Sequence, residues 1–228
     1  DKLITPREKN LKRKPNLPDY DKAYRSFSWK QAEAELAWFS GKRLNAAYNA
    51  VDRHLSGPRK NKVALYWEGE DGEKKKFTFA ELYELSSKFA NVLKKLGVER
   101  GDRVFFFLPR VPEIYFGLLG AIKAGAIAGT LFSAFGPQAI FDRLDSSSAK
   151  VLVTNKTLLP RVAKVRKKLP HLEKILLVDE EKSGKEFLSL SKLMEKAGGD
   201  FKVTQTLPSD PAFMLYTSGT TGKPKGVI

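Results

Sequence analysis

Between Thr78 and Tyr216 the chain alternates short apolar runs with longer stretches whose apolar residues recur at helical spacing, and this alternation constrains the fold most. Thr78-Phe79-Ala80-Glu81 has the form of a capping box, followed at helical intervals by Leu82, Leu85, Phe89, Val92, Leu93 and Leu96. Gly97 supplies the stop. Residues 103–108 are continuously apolar after Arg103, as suits a parallel strand covered on both faces. Pro112-Glu113 opens a helix to Lys123, residues 126–132 read as a strand, and residues 137–146 as a helix. Two more strands, 150–154 and 174–178, flank a helix near 158–168, and residues 187–196 read as a last helix. After a linker at 205–211, residues 212–216 form a strand that runs into a Gly/Thr-rich loop. The expected fold is α/β: a mainly parallel sheet with helices on both faces.

Upstream of this region the pattern is less regular. Residues 1–25 are rich in Lys, Arg, Asp and Pro and read as an extended arm laid over a domain. Ser28-Trp29-Lys30-Gln31 has the Ser-x-x-Gln form that starts a helix. Residues 38–55 give a partial helical period, residues 56–62 read as a linker, and residues 63–68 and 75–79 flank Gly69-Glu70-Asp71-Gly72 as a hairpin. The expected division is an N-terminal arm and cap over residues 1–62 and a first α/β subdomain over residues 63–228. Trp38-Phe39 and Phe105-Phe106-Phe107 read as core material.

Composition excludes several chemistries. Without cysteine there is no disulfide, thiolate metal site or thiol nucleophile. The two histidines, His54 and His171, are too far apart in sequence to suggest a metal cluster, and His54 reads as a packed residue. Glu81 and Glu113 read as helix-start residues. The most apolar stretch, residues 117–135, carries Lys123 and three glycines after Gly117, which argues against a membrane span. No signal peptide opens the sequence, and a cytoplasmic, reducing compartment fits best. The net charge of +15 suits nucleic acid, an anionic small molecule or solubility alone. Seven basic residues between 156 and 174 face one acid, Glu173, but no aromatics interleave with them as on single-strand binding platforms.

Residues 217–226 hold three threonines, a serine, three glycines and two lysines around one proline. Glycines allow tight turns with N–H groups close to a ligand, while hydroxyls and lysines add donors, so the composition suits phosphate oxygens. The loop is not a Walker A loop, because Gly222-Lys223 is followed by Pro224. The alternative is a flexible Gly/Thr surface turn; its place after a strand of an open sheet favours the ligand.

Tyr216-Thr217-Ser218-Gly219-Thr220-Thr221-Gly222-Lys223-Pro224-Lys225-Gly226 resembles the phosphate-binding signature of the AMP-forming acyl-adenylate superfamily, which includes acyl-CoA synthetases, luciferases and peptide-synthetase adenylation domains. Residues 77–82, Gly97-Val98, residues 101–104 and 109–113 resemble further landmarks of its first subdomain. Residues 38–45 and 49–54 resemble the N-terminal region of acetyl- and propionyl-CoA synthetases. The resemblance spans residues 20–228 and implies an N-terminal part of an acetyl- or other short-chain acyl-CoA synthetase, ending just after the phosphate-binding loop.

It further implies ATP, magnesium and coenzyme A as ligands of the complete enzyme, with a short carboxylate as the fourth. Carboxylate and ATP give acyl-adenylate and pyrophosphate, and coenzyme A then takes the acyl group. Thr217, Ser218, Gly219, Thr220, Thr221 and Gly222 would hold the β- and γ-phosphates, and Lys225 would act catalytically on the triphosphate. Phe132, Ser133 and Ala134 would border the coenzyme A site, with Arg161 and Lys164 near its 3′-phosphate. Large acetyl-CoA synthetases carry a Gly-Gly pair where Ser133-Ala134 stand, a departure that points to a shorter-form relative. The magnesium-binding glutamate, acyl pocket and mobile C-terminal domain would lie downstream, so no metal ligand is expected here and the piece alone should be inactive. Two alternatives remain open: a non-catalytic nucleotide- or coenzyme A-binding module of a split enzyme, and a basic nucleic-acid-binding protein.

Overall fold

The computed structural model describes residues 17, 19–217, 222 and 224–228. The chain forms two compact units, Asp1–Ala37 and Trp38–Ile228. This boundary falls at residues 37/38, upstream of the 56–62 linker. In the first unit α1 (Tyr20–Ser26) and α2 (Trp29–Ala34) are short helices capped by Asp19 and Ser28. Residues 20–25 are therefore helical and not extended, because Asp19 accepts a hydrogen bond from the Lys22 amide at 2.9 Å and fixes a first turn. The rest of the expected arm, residues 1–16 and 18, lies outside the described residues.

The second unit opens with α3 (Ala46–Ala50) and a single 3₁₀ turn, Asp52–His54. Trp38 is 41% exposed and does not join the core; Phe39 instead packs on Tyr48 with ring centroids 4.8 Å apart. β1 (Val63–Glu68) and β2 (Lys74–Thr78) form the antiparallel hairpin. α4 (Phe79–Lys95) starts at a complete capping box, with Glu81 accepting from the Thr78 amide at 2.7 Å and Thr78 Oγ1 from the Glu81 amide at 3.2 Å. The Thr78 amide and the Thr78 hydroxyl, the latter at 2.8 Å, both donate to the Glu81 carboxylate and hold it below its ordinary pKa. Gly97 ends the helix at φ +78°.

β3 (Arg103–Phe107), α5 (Pro112–Lys123), β4 (Ile127–Leu131), α6 (Pro137–Ser146), β5 (Val151–Thr154), α7 (Leu159–Arg166) and β6 (Lys174–Leu177) follow in alternation. The expected last helix is split. Residues 188–189 pair with β6 as β7 (Leu188–Ser189), and α8 (Leu190–Glu195) begins at Leu190, where Ser189 caps it. β8 (Phe213–Thr217) and β9 (Lys225–Val227) complete a seven-stranded sheet of order β7-β6-β5-β3-β4-β8-β9. All pairings are parallel except β8–β9. β9 begins within the Gly/Thr-rich motif itself, at Lys225.

β3 organises the sheet. Its Val104 and Phe106 point to one core with Phe89, Val92, Leu93, Phe116 and Leu190 from α4, α5 and α8. Phe105 and Phe107 point to the other, with Ile140, Leu144, Val162 and Val165 from α6 and α7. All four side chains are fully buried, the two-sided burial that a continuous apolar strand requires. α5 and α6 lie on opposite faces because the chain steps from β3 to β4 and then back across β3 to β5; right-handed crossovers in opposite directions demand opposite faces. α4 and α5 approach closely at Gly120, where an added Cβ would stand 2.6 Å from the Ser86 carbonyl.

One ion pair fixes the N-terminal segment of this unit. Lys123, fully buried at the end of α5, lies 2.7 Å from Asp52, whose side chain is 4% exposed. The ammonium also donates to Ser87 Oγ at 3.1 Å and to the Tyr83 carbonyl at 3.3 Å, and sits 4.2 Å from the Tyr83 ring centroid. Burial pushes the Asp52 carboxyl above its ordinary pKa and the Lys123 ammonium below its own, against the partner's attraction. Asn45, 1% exposed, reinforces the junction: its amide donates to Ile122 and Thr204 carbonyls at 2.8 and 3.0 Å while its oxygen caps α3. Lys123→Met leaves Asp52 buried and uncompensated and should cost about 3–5 kcal/mol, whereas Asp52→Leu/Lys123→Met should recover most of that loss. Urea unfolding midpoints at unchanged slope measure both.

Candidate functional site

The carboxyl edge of the sheet gathers the residues singled out in the sequence. The connection after β3 leaves to one face of the sheet, and those after its neighbours β4 and β5 leave to the other. Such a divergence opens a crevice above the strand ends, where open α/β sheets take ligands. Thr217 ends β8 at this edge, and Phe132 follows the last residue of β4. The β4–β8 register pairs Ala128 with Phe213 and Gly129 with Met214. Carried three residues on, it sets Thr217 level with Phe132.

The Gly/Thr-rich segment is the connection of an antiparallel pair. Leu215 pairs with Val227, Tyr216 with Gly226 and Thr217 with Lys225, so Thr217 and Lys225 face each other across its base. Gly222, at φ +102°, takes a backbone conformation that a side chain would strain. Lys225 is exposed, its side chain unencumbered by the cores. Of the expected phosphate ligands, Thr217, Gly222 and Lys225 are thus placed, while Ser218, Gly219, Thr220 and Thr221 lie outside the described residues.

Segment 132–135 is ordered by a basic residue from the next crossover. Arg161, in the first turn of α7, donates from Nη1 to the Ser133 carbonyl at 2.8 Å and to the Phe135 carbonyl at 3.3 Å. Phe132 is 65% exposed at the edge, and its ring meets that of Phe135 edge-on at 5.8 Å. Lys164 lies one turn beyond Arg161 and is exposed. The structure therefore brings Phe132, Ser133, Ala134 and Arg161 together, and leaves Lys164 on the adjoining surface. Among the described residues no group of three or more His, Asp or Glu side chains is placed to hold a metal ion.

Arg143 at this edge lies outside the motif and meets the motif's first residue, Tyr216. Arg143, 8% exposed on α6, places its guanidinium 4.1 Å from the Phe135 ring centroid and 5.6 Å from that of Tyr216. The Tyr216 hydroxyl donates to the Arg143 carbonyl at 2.9 Å and lies 2.7 Å from Ser146 Oγ. The signal for Arg143 is positional: it sits one residue before Leu144 and three after Ile140, both buried, and so on the inner stripe of α6.

Elsewhere the pairs are structural. Lys150 joins Asp102 at 2.7 Å near the opposite edge, and Lys156 joins Glu180 at 3.0 Å beyond β5 and β6. The hydrogen bonds to these carboxylates, and then their negative charge, raise both lysine pKa values. His54 packs edge-on against Phe79 with ring centroids 5.0 Å apart, and desolvation with nearby Arg53 and Arg59 lowers its pKa.

Arg161→Ala removes the two carbonyl contacts that hold residues 133–135. The Phe135 amide, which donates to the Phe132 carbonyl at 2.9 Å, should then exchange with deuterium about tenfold faster or more, given the 1.5–3 kcal/mol of a bond to a charged donor. Exchange in β5 should stay unchanged, as measured by amide mass spectrometry.

Comparison with known proteins agrees with this arrangement. Residues 51–228 match the AMP-binding enzyme family. The chain is 45% identical over 215 residues to an acetyl-coenzyme A synthetase of Bacillus subtilis, covering 93% of this chain and 37% of that protein. It is 38% identical over 220 residues to a 3-hydroxypropionyl-coenzyme A synthetase of Sulfurisphaera tokodaii, covering 88% and 33%. An acyl-CoA synthetase crystal structure from Brucella canis superposes with a TM-score of 0.80 at 33% identity, over 91% of this chain and 37% of that one. The chain thus spans little more than a third of the length of the relatives it matches. A doubly wound sheet with the Gly/Thr-rich hairpin at its carboxyl edge, matched in sequence over most of its length, places the chain in the AMP-binding enzyme family.

Proposed function

We propose that this chain provides the triphosphate-binding side, and part of the coenzyme A side, of an AMP-forming acetyl- or other short-chain acyl-CoA synthetase. The observation that carries the reading is the β8–β9 hairpin, which holds Thr217 opposite Lys225 at the carboxyl edge, level with Phe132. Relatives named for acetyl and 3-hydroxypropionyl substrates support a short carboxylate.

The chemistry follows from charge. A carboxylate oxygen attacks the α-phosphorus of ATP, the bond to the β-phosphate bridge oxygen breaks, and pyrophosphate leaves with the electron pair. Amides and hydroxyls of residues 217–222 hold the β- and γ-phosphates in line for departure, and the Lys225 ammonium offsets the negative charge that grows on the leaving group. The sulfur of coenzyme A then attacks the acyl carbon and AMP leaves. Phe132 gives that thiol arm an apolar wall beside Ser133 and Ala134, while Arg161 fixes the wall and, with Lys164, faces a phosphate. Magnesium would enter with the nucleotide as MgATP and offset phosphate charge there; among the described residues no group of carboxylates is placed to hold it. None of these steps needs a nucleophilic side chain, in keeping with a chain that has no cysteine.

The full-length gene product should catalyse carboxylate-dependent exchange between ATP and pyrophosphate, and Lys225→Ala should lower kcat/KM by about 10²–10³-fold. Full kcat/KM in that variant would overturn the reading. The 228-residue chain alone should show no exchange.

A further inference from the structure

Arg143 belongs to neither motif segment, yet it touches both. α6 carries it inward between Ile140 and Leu144, so its guanidinium loses water while keeping its charge. Nη1 donates to the Ala139 carbonyl at 2.9 Å, within the same helix, and the buried Nε has no hydrogen-bond acceptor among the described residues. What remains to offset the charge is aromatic: the Phe135 ring at 4.1 Å and the Tyr216 ring at 5.6 Å. Each ring leads to a different segment. Phe135 closes segment 132–135 and touches Phe132, while Tyr216 directly precedes Thr217 and is locked by its hydroxyl to the Arg143 carbonyl.

We infer that Arg143 is a positioning residue: its guanidinium, between Phe135 and Tyr216, sets the 132–135 segment and the strand leading into the Gly/Thr-rich loop as one unit. The inference rests on the proposed phosphate and coenzyme A roles of those segments. Arg143 itself meets neither substrate. It acts through two rings, and a change at Phe135 therefore reaches the nucleotide although Phe135 is no part of the phosphate loop.

The test uses the full-length gene product with MgATP, coenzyme A and the preferred carboxylate, assayed well below the melting temperature of each variant. Arg143→Met and Phe135→Leu should each raise KM for MgATP and for coenzyme A together, about five- to tenfold, and leave KM for the carboxylate unchanged. Arg143→Met/Phe135→Leu should be no worse than either single variant, because both remove one contact. Arg143→Lys keeps the charge but not the planar guanidinium and should restore affinity only in part. Unchanged KM for MgATP in both single variants, or effects that add in the double, would overturn the inference. Should Arg143→Met fail to fold, Phe135→Leu decides alone, since a merely structural role predicts no selective change in MgATP affinity. Lys225→Ala separates the two readings. Full activity there sinks the phosphate-loop assignment, whereas lost activity there with wild-type KM values in the Arg143 and Phe135 variants sinks only the positioning role.

Discussion

A lysine with no exposed surface sits at the end of the apolar helix α5, and the architecture around it depends on how its charge is met. Asp52 meets it from the segment before the hairpin, and Ser87, Tyr83 and the Tyr83 ring meet it from α4. Burying two charges costs several kcal/mol per ion, and mutual attraction recovers this only with good geometry and further hydrogen bonds. The pair therefore contributes more to specificity than to net stability: any other docking of residues 45–54 would leave an ammonium or a carboxylate alone in the core. That requirement fixes α3 and the 3₁₀ turn against α4 and α5. Asn45 extends the junction to the 204–206 segment that leads into β8.

From that fixed junction the sheet follows from periodicity, and most of it was legible in the sequence. α5 and α6 span the residues that Pro at the first turn and the apolar stripe predict, Pro112–Lys123 and Pro137–Ser146. β3 reads as a buried strand because every residue from Val104 to Phe107 must be apolar when both faces are covered. Short elements were the ones missed. β7 has two residues and no period to read, and α1 has seven residues whose helix depends on a single Asp19 cap. β9 was read as loop because Lys225-Gly226-Val227 has a weak strand pattern; it exists by pairing with β8.

The candidate site divides along similar lines. The Gly/Thr-rich segment was visible because its chemistry is local, ten successive residues chosen for turns and donors. Arg161 was singled out from a resemblance, and the structure gives it a partner that sequence could not show, the carbonyls of Ser133 and Phe135. Arg143, Tyr216, Asp52 and Lys123 were invisible as a group. Asp52 and Lys123 lie 71 positions apart and Arg143 and Tyr216 lie 73 apart, and a charged residue on an apolar stripe names no partner until the fold supplies one.

The net charge of +15 takes a different meaning in this light. Among the described residues the buried basic side chains are Lys123 and Arg143. One is met by a carboxylate and the other by aromatic faces, and the difference matches what each must do. A carboxylate partner localises a charge and locks a junction. Aromatic faces leave the cation's field spread over two rings, so that a guanidinium can bind two segments without fixing either in a single hydrogen-bond geometry. Under the proposed function the two segments admit a triphosphate and then a thiol, which calls for the second kind of contact. Lys164, one turn beyond Arg161, is exposed, and under the proposed function its field would draw polyanionic ligands toward the carboxyl edge.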